Sequence, residues 1–259
     1  MRPPILRDKR HRDPSVFTPE NLLREARRQK SLPRRPVPRV CVLDPDGDIV
    51  RTLLKEGRAR RDPSWSCYHT ELYAFSLGGR RVGIIGCAVG ASFAVLLAEE
   101  LFASGCELLI SVTSSGRIAG NAAPPYFILI EKALRDEGTS YHYLPPSDFS
   151  RISPRLSKAL RTAFDRIPLP VHRGSTWTTD APFRETPHAI ERCRALGILA
   201  VEMEAAALYA FAEARRKPVV CLAHVTNQMA QISGDFEKGA SNGAHDALTV
   251  IAAVARSLP

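Results

Sequence analysis

The sequence predicts an α/β protein, a three-layer α/β/α sandwich around a central mixed sheet. Three observations predict it: short apolar runs rich in β-branched residues, helix-length segments between them, and glycine-bearing turns where the runs end. "RVCVL" (39–43), "RVGIIG" (81–86), "ELLISV" (107–112), "YFILI" (126–130) and "PVVCLAHV" (218–225) have strand length. "ASFAVLLAEELFAS" (91–104) has the length and period of a helix. "GAHDALTVIAAVARSL" (243–258) is a further amphipathic helix that would cover one face of the sheet. No internal repeat and no second linker interrupts this pattern, so residues 39–259 read as one domain preceded by a basic N-terminal arm, 1–38.

The arm holds most of the charge imbalance. Residues 1–40 carry 12 Lys and Arg against 4 Asp and Glu, leaving 24 against 23 in the remainder of a chain whose formal net charge is +9. Phe17 is a lone aromatic in this arm rather than part of an interleaved series, which argues against nucleic-acid binding and for a solvated or interface segment. Within the arm, "FTPENLLREARRQK" (17–30) carries a helix start: Thr18 can cap, Pro19 suits the first helical position, and Phe17 can staple onto Leu22. Prolines 33, 36 and 38 then keep the chain extended. Six scattered cysteines include no C-x-x-C pair and read as reduced thiols rather than a zinc site or disulfide framework. The sequence shows neither a membrane-length apolar run nor an apolar signal core, so a cytoplasmic location is expected.

In an α/β fold, ligands sit where strand ends meet glycine turns, because small residues let backbone N–H groups approach an anion or a sugar. Three such turns are present: "DPDGDIVR" (44–51), "GCAVGAS" (86–92) and "SVTSSGRIAG" (111–120). Gly86 and Gly90 form neither a P-loop nor a dinucleotide fingerprint. Further on, "AVEMEAAALYAFAEARRK" (200–217) sets Glu202 and Glu204 against an apolar segment. A helix N-terminus accounts for one acid there, worth about 0.3–1 kcal/mol through the macrodipole. It does not account for two flanking Met203.

"VEMEAAALYAFA" closely resembles the M-E-x-A signature of the nucleoside phosphorylase family, which includes uridine phosphorylases, hexameric purine nucleoside phosphorylases and methylthioadenosine nucleosidases. The three turns follow that family's order over about residues 39 to 255. The resemblance implies a nucleoside phosphorylase-like fold and a pentosyltransferase that uses inorganic phosphate as co-substrate, with no metal and no organic cofactor. Gly47 and Arg51 match the positions that hold phosphate, and Ser114 the hydroxyl that helps them. Met203 would pack under the sugar, Glu204 would accept hydrogen bonds from ribose hydroxyls, and Glu202 would add a second polar contact. Glu204, Arg51 and Asn227 are the implied catalytic residues.

The sequence departs from the family pattern twice. Asn227 stands where purine-cleaving members carry an aspartate; an amide can hydrogen-bond a departing base but cannot deliver a proton. Ser111 stands where a phosphate-binding arginine is usual, leaving Arg117, Arg135, or His69 acting across a dimer interface to substitute. For the base, Trp177 and Phe183 are stacking candidates, with Asp180, Arg184 and Glu185 as polar ones. Relatives of this kind are dimers or dimer-based hexamers, so a homo-oligomer is implied. Two rival readings stay open: a nucleosidase that uses water, and a non-catalytic nucleoside-binding or regulatory protein with a basic arm.

Overall fold

The computed structural model describes residues 3–120, 122–229 and 233–258. Helix α1 (Pro19–Lys30) starts as the sequence predicts, with Thr18 Oγ1 accepting from the Asn21 N–H at 3.3 Å, and ends on Ser31 in a left-handed conformation. Phe17 stays 72% exposed, so its staple onto Leu22 buries little. Leu23 and Ala26 are the residues α1 buries.

The body then runs β1 (Val40–Asp44), α2 (Asp48–Lys55), β2 (Ala59–Arg61), β3 (Tyr73–Leu77), β4 (Arg80–Gly86) and α3 (Ala91–Ala103). It continues through β5 (Leu108–Arg117), β6 (Tyr126–Asp136), β7 (Phe149–Arg151), α4 (Pro154–Ala159), β8 (Val171–Thr179), α5 (Pro187–Ala195) and β9 (Ile198–Glu202). It closes with α6 (Ala205–Arg215), β10 (Val219–Asn227) and α7 (Ala244–Ser257).

All ten strands join one mixed sheet in the order β10-β6-β8-β9-β5-β1-β4-β3-β2, with β7 beside β6. β1 pairs in parallel with β4 and β5, and β6 in parallel with β8, whereas β10–β6, β5–β9 and β3–β4 are antiparallel. β10 also pairs with β5, so β5, β10, β6, β8 and β9 close into a ring while β1 to β4 extend from it as an open wing. β1 and β10 are buried at every position, as strands covered on both faces must be. Helices pack in two groups, α1 with α3 and α3 with α6, and α2 with α7.

The strands outrun their apolar signals. β5 continues through "TSSGR" and β6 through "EKALRD", because the ladders β10–β5 and β6–β8 keep pairing past the apolar stretch. These polar extensions bring hydroxyls and amides to the strand ends where the turns lie.

Candidate functional site

Glu202 ends β9 and Glu204 forms the N-cap of α6, so the M-E-x-A segment is a strand-to-helix turn. Both acids are buried, at 3% and 1% exposure. Glu202 is filled by its own chain: one oxygen accepts from the N–H groups of Glu204 and Ala205 at 2.7 Å each, the other from Thr176 Oγ1 at 3.0 Å and Thr178 Oγ1. A carboxylate has about four acceptor positions, and all are used. The ribose contact expected of Glu202 is therefore corrected; this acid caps α6 and fixes the turn.

Glu204 is held differently. Its Oε1 accepts from the Gly90 N–H at 2.7 Å, and its Oε2 from Thr113 Oγ1 at 2.8 Å and the Met203 N–H at 3.3 Å. Gly90, at φ 96°, takes a backbone conformation that favours glycine and so can aim its N–H at the acid. Oε1 keeps an acceptor position open. Burial pushes the Glu204 carboxyl up to about 7, and the Glu202 charge pushes the same way. Burial raises Glu202 as well, opposed by its four donors. Met203 lies half-buried beside this oxygen pair.

Three acids, Asp44, Asp46 and Asp48, run from the end of β1 to the start of α2. Asp44 accepts from the Val50 N–H at 2.9 Å, and Gly47 opens α2 at φ 75°. A Cβ on Gly47 would come within 2.7 Å of the Arg51 guanidinium and Cys87 Sγ and would displace them, and the positive φ itself favours glycine here. Arg51 is exposed but partly engaged: its Nη2 donates to Asp46 O at 2.6 Å and Asp48 Oδ1 at 2.7 Å. Lys238 donates to Asp46 Oδ2 at 2.6 Å and to Asp48 Oδ2 at 2.7 Å. These acids line a cavity of about 20 Å³ with Thr113, Ser114, His224 and Lys238, room for about one water. Burial pushes Asp44 up to about 7. Burial acts upward on Asp48 too, but Lys238 and Arg51 outweigh it and hold that carboxyl below its usual range. Burial also draws His224 down to about 4, and it stacks on Phe127 at 4.4 Å as a neutral ring. Among the described residues, no cluster of three or more His, Cys, Asp or Glu could hold a metal ion.

Ser114 Oγ lies 2.9 Å from Thr226 Oγ1, which accepts from Asn227 Nδ2 at 3.1 Å. Asn227 Oδ1 accepts from the Met229 N–H at 2.9 Å, leaving one amide N–H without a partner among the described residues. Gly116 lets this end close up, since a Cβ there would sit 2.5 Å from Met229 Sδ. Ser114, Thr226 and Asn227 thus form one hydroxyl and amide row.

Other expected residues lie elsewhere. Trp177 is corrected from stacking surface to core: it is 3% exposed, packs with Ile118, Leu134, Cys193, Ile198 and Val201, and donates Nε1–H to Asp136 at 2.9 Å. Phe183 is 98% exposed on a short 3-10 turn. Asp180 accepts from the Gly138 N–H at 2.8 Å. Burial pushes Glu185 up to about 7. His69 is exposed in the β2–β3 connection, beside Tyr68 and away from the acid-lined cavity.

Neither arginine expected to replace the one missing at Ser111 reaches the cradle. Arg135 is buried and tied to Ser140, Leu144, Pro145 and Ser147; Arg117 donates to Ala122 O and Gln228. Ser111 Oγ is buried with no hydrogen-bond partner. The cation that does reach the cradle is Lys238, which sequence reasoning missed. The three aspartates were visible in "DPDGD", and their charge was the signal that this loop would not present a bare anion site.

The model of the phosphorylase superfamily matches residues 39–256. The chain is 26% identical over 159 residues to a DeoD-type purine nucleoside phosphorylase of Colwellia psychrerythraea, covering 61% of this chain and 68% of the relative. It is 30% identical over 140 residues to one from Streptococcus uberis, covering 53% and 59%. The matched segments thus span about three fifths to two thirds of these relatives. Among solved structures, it resembles uridine phosphorylase from Vibrio fischeri (TM-score 0.71, 20% identity, 85% of this chain and 90% of that one). It also resembles purine nucleoside phosphorylase from Toxoplasma gondii in complex with immucillin-H (TM-score 0.73, 15% identity, 88% and 95%). At such identities the two structures show the shared fold.

Proposed function

Because the chain belongs to the phosphorylase superfamily, we propose that it is a pentosyltransferase that breaks the N-glycosidic bond of a nucleoside and passes the sugar to inorganic phosphate. The observation that carries this reading is Glu204, a buried carboxylate held by Gly90 and Thr113 with an acceptor position to spare. Such an oxygen is compensated by sugar hydroxyls that donate to it, and it stabilises positive charge as the sugar acquires oxocarbenium character. Met203 lies beside it for the furanose face, and Asn227 offers an amide N–H to the departing base. On this reading Gly47, Arg51 and Ser114 would hold the attacking anion, with position and charge as the sources of catalysis. The nucleophile is itself a substrate and the base departs with the bonding electrons, so the scheme uses no metal or organic cofactor. A cytoplasmic homo-oligomer, dimer or hexamer, belongs to the same reading.

A specific observation favours a second reading, hydrolysis. Asp46 and Asp48 engage both Lys238 and Arg51, and the adjoining cavity has room for a water rather than a phosphate. A purine and pyrimidine nucleoside panel, run with and without phosphate and scored for free base and pentose-1-phosphate, separates the two. Pentose-1-phosphate formed only with phosphate supports the first, and base released equally in phosphate-free buffer supports the second. Binding without base release under either condition sinks both.

A further inference from the structure

A cluster of five arginines lies away from the nucleoside site, and the fold gives it a concave shape. α1 lies along α3, and the segment after it turns back so that the Val37 N–H donates to Ser104 O at 3.0 Å. Lys30 Nζ donates to Cys67 O at 2.6 Å and ties the end of α1 to the body. Between α1, residues 31–36 and the last residues of α3 opens a cavity of about 900 Å³, within the range of small-ligand sites. Arg24, Arg27, Arg28, Arg34 and Arg35 line it, and Glu20 is the one carboxylate on its wall.

The arginines are poorly compensated. Arg24 and Arg28 share Glu25. No carboxylate among the described residues pairs with Arg27, Arg34 or Arg35. Arg27 Nε is buried with no hydrogen-bond partner, and its Nη2 reaches only Ser104 Oγ, at 3.5 Å. Burial pulls the Arg27 guanidinium below its usual range, and Arg34 pushes it the same way. Helix C-termini favour nearby cations, which accounts for Arg27 and Arg28 on α1 but not for Arg34 and Arg35 beyond it. An orphaned guanidinium facing like charges calls for an anion that can accept several forked hydrogen bonds at once.

We propose that this cavity binds a compact polyphosphate group, as carried by inorganic triphosphate and by nucleoside triphosphates. No aromatic side chain lines it, so stacking with bases is not what the wall offers, and a single-stranded nucleic acid would lack its usual platform. The site is separate from the nucleoside site: Gly90, just before α3, contacts Glu204, while Ser104, just after it, lines the arginine cavity. The 13-residue helix between them is about 20 Å long.

The test is calorimetry on the full chain at about 0.15 M salt, with inorganic triphosphate in one arm and ATP in the other. One saturable site per chain is expected. Equal affinity in the two arms means the phosphate chain alone is read, and tighter ATP means a nucleotide is the source; each supports the site. Arg27→Gln combined with Arg34→Gln is expected to weaken binding at least about tenfold. The same variant should leave nucleoside turnover unchanged and the ligand-free thermal midpoint unchanged or higher, since it relieves like-charge crowding; a merely structural role would lower that midpoint. Should that variant misfold, Arg34→Gln with Arg35→Gln removes two exposed side chains and must weaken binding likewise. Absence of saturable binding in both arms, undiminished binding in the folded variants, or tighter binding of a single-stranded oligonucleotide than of triphosphate overturns the proposal.

Discussion

The two ends of the candidate site treat their charges in opposite ways. At the sugar end, Glu204 is buried with no cation beside it, oriented by an N–H and a hydroxyl, and keeps an acceptor position open. At the anion end, Asp46 and Asp48 cancel Lys238 and Arg51 within the chain. A buried acid without a cation is expensive to keep unless a ligand completes it, whereas a closed ion-pair network is already complete and must be opened before a ligand enters. On the proposed function, the end with Glu204 is completed by its substrate, and the end with Asp46 and Asp48 must release its own cations before an anion enters.

The largest expected effect is at the sugar end. Glu204→Gln should lower kcat/KM for any nucleoside substrate by roughly 10²- to 10³-fold, the scale of one lost electrostatic contact at the transition state. In the unmodified enzyme the rate should rise with pH through about 7, because the ionised form is the one that accepts sugar hydroxyls. Stability runs the other way. A folded-state pKa of about 7, above the ordinary glutamate value of 4.5, adds stability that is fully present below about 4.5 and is lost as pH rises through about 7. Glu204→Gln should remove that slope, read by urea denaturation at several pH values.

Glu202→Gln should act mainly on the fold itself. Its amide would turn N–H groups toward the backbone and hydroxyl donors that now fill the carboxylate, destabilising the fold by about 1–3 kcal/mol. If the two glutamines behaved alike in denaturation, the division of labour between the paired acids would be wrong.

The anion end should respond more modestly. Asp48→Asn removes one negative charge and loosens the hold on both Arg51 and Lys238, which Asp46 still engages, so the phosphate KM should fall about five- to tenfold, less so at high salt. A phosphate KM unmoved by Asp48→Asn would mean that the network opens freely, or that water is the nucleophile.

What the sequence revealed follows from how local each feature is. The alternation of strands and helices and the cap on α1 depend on neighbouring residues, and they are readable as such. The M-E-x-A turn is equally local, but the partners that give its two acids different roles are not: Thr113 and Gly90 lie 91 and 114 residues from Glu204. Lys238 meets Asp46 and Asp48 across 192 and 190 residues, a pairing no spacing rule exposes. Trp177 was ambiguous for a different reason, since an indole suits a stacking wall and a core equally, and only its neighbours and Asp136 decide. The closure of the sheet through β10 and β5 is a tertiary property of strand curvature and left no local mark.

The smallest expected effect tests the base side of the same division. Phe183 projects from a three-residue 3-10 turn at 98% exposure, and neither acid end touches it. A ring that gains no burial with the ligand contributes almost nothing, whereas full burial of a phenylalanine is worth about 1.5–3 kcal/mol. Phe183→Ala should therefore change the nucleoside KM less than about twofold and leave the thermal midpoint in place. A rise of tenfold or more, about 1.4 kcal/mol, would place the ring over a bound base, through movement of this turn or across a subunit boundary. The comparison would then need a third region, because recognition of the base would rest on a surface that neither buried acid organises.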